Sequence, residues 1–232
     1  MASYFRTIRD SARWASEDSK SDRYAFALRS LLMAESVVAI ALLACVSIEF
    51  NANASIYGIS YYGVHLRTVW VLALGFLIGG FFLYRSAIAL SPHRPWGLLS
   101  SSLRVVAVGL VLLILTPYTL DTFFNWAHMT IGAAIFGFQM LVGFMTLRTM
   151  LRDPLAWLGV TVQLIGGVIA ALSLPDHMLT YMLQGEIIFQ SGFALAINHL
   201  LSQEVRRARL DGDLIGGRSI TRPNGLSHRT RD

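Results

Sequence analysis

Glu186 is the residue whose placement most needs a chemical explanation. It stands in an otherwise apolar run, Tyr181–Leu201, with Gln190 one turn further on and no cation close in sequence. An ionisable group inside a bilayer costs roughly 2.5–3.5 kcal/mol on an insertion scale. Such a group is therefore expected to have a partner or a task. Other polar residues fall at the ends of apolar runs on the same side of the chain's hydropathy pattern: Tyr57, Tyr61, Tyr62, Arg67, Asp121, His128 and His177. Together with Glu186 and Gln190 they are the candidate ligand-binding set, with Arg67 the expected counter-ion of Glu186.

Three histidines (His65, His128, His177) and two aspartates on one side would suit zinc by ligand type. Their spacing forms no HxxxH, HxxE or HExxH motif, so no metal is expected. Ser55 and Ser60 lie near His65 in sequence, but neither has the GxSxG context of a nucleophile elbow. A haem would need two histidines at matching depth in facing helices, and His128 has no evident mate, so no cofactor is expected. An intramembrane hydrolase or transferase using Asp121, His128 and His177 is an alternative. It requires these groups within about 3 Å of one another or of a shared water. Nearer the other membrane face, Glu35 and Arg104 fall at comparable depth and form the expected structural ion pair, with Arg29 as a rival partner.

The elements that must position these residues are legible from hydropathy. Hydrophobic residues make up 54% of the 232 and charged residues only 14%, well below the quarter or so that soluble domains carry. A helical span needs about 20 apolar residues, and six runs qualify: Ala25–Phe50, Thr68–Leu90, Leu98–Pro117, Trp126–Met150, Ala156–Leu174 and Tyr181–Leu201. The runs are continuous rather than alternating, which excludes a closed barrel. The expected fold is all-α, an integral membrane bundle of six transmembrane helices over residues 25–201. A basic cytoplasmic N-terminal segment (1–24) precedes it, and a basic cytoplasmic tail (202–232) without apolar period, expected to be disordered, follows.

Of the 19 basic residues only Lys20 is a lysine, a bias that points to a GC-rich bacterial genome. The arginines gather before the first run, between runs two and three and between four and five, and after run six; the opposite side has only Arg67. This bias predicts both termini in the cytoplasm and a plasma-membrane location. The positive net charge belongs to topology and anionic headgroups, so no nucleic-acid partner is expected. Phe5, Ile8, Ala12 and Ala15 at helical spacing allow a short interfacial helix, against a disordered basic tail as the alternative. Small residues recur at i, i+4: Gly75 and Gly79, Ala133 and Gly137, Gly166 and Ala170, Gly167 and Ala171. They predict close helix packing within the chain, with a homodimer face as the alternative.

Ser60-Tyr61-Tyr62-Gly63, then Gly75-Phe76 to Gly79-Gly80, Thr116-Pro117-Tyr118 with Asp121, and His128 resemble a bacterial membrane family of unknown function. That family is distantly grouped with the Frag, DRAM and Sfk six-helix proteins. Its pattern falls here on Ser60, Gly63, Pro117, Asp121 and His128, within roughly residues 55–201. The spacing of Pro117 to Asp121 departs from it, and Glu186 and Gln190 stand where the pattern has an arginine. The resemblance implies a six-helix bundle and no established reaction.

The function expected from all this is binding or movement of a membrane lipid or other amphiphile through an outward-facing polar pocket. The alternatives are the hydrolase or transferase above, and a scaffold or accessory subunit for a partner membrane protein.

Overall fold

The computed structural model describes the backbone of residues 2–91, 96–174 and 179–220, and the side chains of residues 20–91, 96–174 and 179–210. Among these residues the chain is all-helical: α1 (Ala2–Ile48), α2 (Ala52–Tyr57) running into a 3-10 turn (Gly58–Gly63), α3 (Val69–Leu90), α4 (Gly97–Leu115), α5 (Thr122–Thr149), α6 (Pro154–Leu172) and α7 (Met182–Ile220). Five stretches are long and apolar enough to cross a membrane: Lys20–Ile48 of α1 and helices α3, α4, α5 and α6. The sixth run lies in α7, which falls short of that standard because Gln184, Glu186, Gln190, Asn198 and His199 dilute it.

Helix ends follow local chemistry. Asp121 caps α5 by accepting from Phe124 N at 2.8 Å, and Asp153 caps α6 by accepting from Leu155 N at 2.9 Å, with Pro154 opening the helix. Two ends lie beyond the boundaries that charge alone suggests. The N-terminal segment is not a separate interfacial helix but the start of α1, because the chain has neither glycine nor proline before Gly58. At about 1.5 Å per residue α1 is roughly 70 Å long, more than twice a hydrocarbon core. Likewise α7 continues through Ile220, beyond Leu201; residues from 221 lie outside the described structure.

α1, α3, α4, α5 and α7 surround a central chamber, while α6 packs along α7. Small residues set the closest approaches. A Cβ at Gly75 would strike Ala41 of α1, and one at Gly192 would strike the backbone of Gln163. The small track of Gly166 and Ala170 meets Gly185 and Phe189 of α7, which is the close backbone approach such pairs allow. The Ala133/Gly137 pair on α5 has no such neighbour, since a Cβ at Gly137 meets nothing within 4 Å.

The expected ion pair of Glu35 with Arg104 is not formed. Arg104 lies on the exposed face of α4 and Arg29 on that of α1. Glu35 instead accepts from Asn198 Nδ2 of α7 at 2.5 Å. A neutral amide serves a shielded carboxyl without the expense of desolvating a guanidinium.

Candidate functional site

The connection between α1 and α3 is the structural surprise. Between Asn51 and Arg67, residues 52–63 fold into α2 and the 3-10 turn and lie across one end of the bundle. Asn51 starts the segment by capping α2, its Oδ1 accepting from Ala54 N at 3.0 Å. Gly58 joins α2 to the turn with φ +70, the left-handed region that favours glycine. A Cβ there would also collide with the Glu186 carboxylate.

Glu186 is buried, 8% exposed, and accepts a 2.6 Å hydrogen bond from the backbone N–H of Ile59. Arg67 is not its counter-ion; it is exposed and makes no ion pair among the described residues. The physical reason is reach: the 3-10 turn lies directly against α7, so a backbone donor arrives where a guanidinium beyond the turn does not. Two further bonds fasten the same segment. Ser55 Oγ donates to the Thr180 carbonyl at 2.5 Å and lies 2.9 Å from the Gln184 amide. Ser60 Oγ and His128 Nε2 of α5 are 2.7 Å apart.

The His128 ring is fixed at both nitrogens. Its Nδ1 lies 2.7 Å from the Thr116 carbonyl, which can only accept, so Nδ1 carries a proton. In the neutral ring Nε2 is then an acceptor, and the Ser60 hydroxyl donates to it. The Thr116 carbonyl is free for this contact because it follows the last turn of α4, whose final carbonyls have no partner within the helix.

The three tyrosines are spent on structure. Tyr57 stacks on Tyr118 with ring centroids 5.9 Å apart, and burial lifts the Tyr118 phenol to about 12, with Tyr57 and Tyr61 adding to the rise. Tyr61 donates to Glu49 at 2.8 Å, accepts from Asn51 at 2.6 Å and stacks on His65 at 3.8 Å. Tyr62 is fully buried, and its hydroxyl has no partner among the described residues.

Two cavities adjoin this cap. The central chamber, about 240 Å³, is walled mainly by apolar side chains, among them Leu42, Phe76, Leu83, Val106 and Phe193. Its polar lining is Glu35, Gln139, Gln190 and Ser191, and Ile59 of the cap forms part of its wall. Gln139 and Gln190 bond each other reciprocally at 2.9 and 3.0 Å. Ala39, Ile187 and Ser191 of the lining are themselves exposed. A smaller cavity of about 30 Å³ lies beside Ser60 and His128 and shares Ile59 and Phe76 with the chamber.

Of the nine candidate binding residues, Gln190 lines the chamber, His128 lines the small cavity, and Glu186, Tyr57, Tyr61 and Tyr62 belong to the cap and its fastenings. Arg67 and Asp121 are exposed, and Asp121 makes no bond to His128. His177 lies outside the described residues. No three of His, Cys, Asp and Glu converge among the described residues. Two participants are missed by spacing in sequence: Ser60, whose histidine is not the nearby His65 but one 68 positions away, and Asn198, which holds Glu35. No family model, no curated protein and no solved structure matches the chain.

Proposed function

We propose that this chain is an integral membrane protein of six spans that holds the apolar part of a lipid-like amphiphile in its central chamber, beneath the cap formed by residues 52–63. The chamber itself carries the proposal. It is lined mainly by apolar side chains and open at one side, so an acyl chain can fill it, and its few polar groups suit one polar end. The exposed lining residues Ala39, Ile187 and Ser191 mark the side by which an acyl chain enters from the bilayer.

α7 is the sixth span in this proposal. Its polar residues are turned to interior partners: Glu186 to Ile59, Gln190 to Gln139, Asn198 to Glu35. What dilutes its hydropathy is thereby shielded from lipid. The arginine bias then supports cytoplasmic termini and an outward-facing cap. Kinship with the six-helix family is part of the same proposal, supported by the contact of two residues of its pattern, Ser60 and His128.

Native mass spectrometry of protein extracted from membranes tests the reading. Wild type carries a bound amphiphile, and Ala194→Trp, which fills the chamber, lowers its occupancy at least tenfold. Equal occupancy in the two, or none in wild type, would overturn it.

A further inference from the structure

The geometry points to Ser60 and His128 as a nucleophile and general base for acyl transfer, acting on an ester of the amphiphile that the chamber holds. Three observations carry it. Ser60 Oγ is 2.7 Å from Nε2, within the reach that nucleophile and base require. The base is oriented by a third group, the Thr116 carbonyl at Nδ1, which fixes the tautomer with the Nε2 lone pair toward the serine. Both side chains line a cavity rather than being sealed in packing. The substrate class follows from position and rests on the proposed amphiphile site. That cavity and the chamber share Ile59 and Phe76 as common lining, so in the proposed reaction these two side chains turn aside and a carbonyl at the end of a chain held in the chamber reaches Ser60.

The step balances with water as co-reactant. Ser60 Oγ bonds to the ester carbonyl carbon as its proton passes to His128 Nε2. The carbon–oxygen bond to the leaving alcohol breaks, and that alcohol takes the proton from Nε2. Water, deprotonated by the same nitrogen, then attacks the acyl-serine, releases the carboxylic acid and restores the hydroxyl. The small cavity has room for roughly two waters. Positive charge forming on the ring faces the Thr116 carbonyl at the negative end of the α4 dipole.

The probes are alkyl fluorophosphonates, ethyl and dodecyl, applied to the full chain in detergent with the adduct mapped by peptide mass. The expected result is an adduct on Ser60 in wild type, absent in Ser60→Ala and at least 100-fold slower in His128→Gln. The dodecyl probe reacts at least tenfold faster than the ethyl probe, and Ala194→Trp abolishes that advantage. Mapping on wild type does not depend on any variant folding. No adduct at Ser60 from either probe, in protein whose Cys45 stays buried to maleimide, would overturn the pair as catalyst. An adduct at Ser60 formed equally fast by both probes supports the pair and overturns the chamber as its acyl site.

Discussion

The Glu186 carboxylate accepts the backbone N–H of Ile59 at 2.6 Å, joining residues 127 positions apart. This bond fixes the cap to α7 and gives the buried acid its partner. Replacing Glu186 by Leu leaves a partly buried N–H unpaired, which costs about 1 kcal/mol or more. Glu186→Gln keeps an acceptor and is expected to cost less than about 1 kcal/mol. Thermal unfolding in detergent checks the order of the two variants; equal losses would mean that the bond does not hold the cap.

Gly58 is the hinge of the same contact. Gly58→Ala combines a left-handed backbone with a collision against Glu186, and is expected to destabilise by about 1–3 kcal/mol. Cys45, the single cysteine, reports whether the cap lifts. It is fully buried in one cluster with Tyr61, Tyr62 and Leu72. Wild type should resist maleimide, and Gly58→Ala and Glu186→Leu should react at least tenfold faster, read by intact mass. Resistance in both variants would show that the cap stays shut without its fastening.

The reciprocal amide pair Gln139–Gln190 ties α5 to α7 at the chamber wall. Removing one partner strands the other. Gln190→Leu is expected to cost about 1–2 kcal/mol, and the double variant with Gln139→Leu less than the sum of the singles. A double-mutant cycle on unfolding measures the coupling; additive losses would indicate that each amide acts alone.

Asp153 and His199 join the start of α6 to α7 at 2.7 Å. The hydrogen bond from His199 is the main cause holding the Asp153 carboxyl below its ordinary value of 3.8. A carboxyl depressed in the fold stabilises above its unfolded pKa and loses that contribution as pH falls through its folded pKa. The difference in melting temperature between wild type and Asp153→Asn should therefore hold at neutral pH and shrink below about pH 4. A difference that grows on acidification would contradict this sign.

The sequence by itself determined the helices. Continuous apolar runs of span length placed α3, α4, α5 and α6 to within a few residues, because hydrocarbon burial and backbone hydrogen bonding act locally. It also singled out Glu186, since a charge amid apolar neighbours is visible without coordinates. Partners were decided only by tertiary structure. Glu35 took Asn198 instead of Arg104, Glu186 took the Ile59 backbone instead of Arg67, and Ser60 met His128 instead of the neighbouring His65. Backbone donors leave no trace in residue type, and the meeting of distant helices depends on which small residues let them touch. The cap escaped notice for a related reason: six residues of α2 and six of the 3-10 turn are too short to be helical alone, and they hold their shape through bonds supplied by α5 and α7.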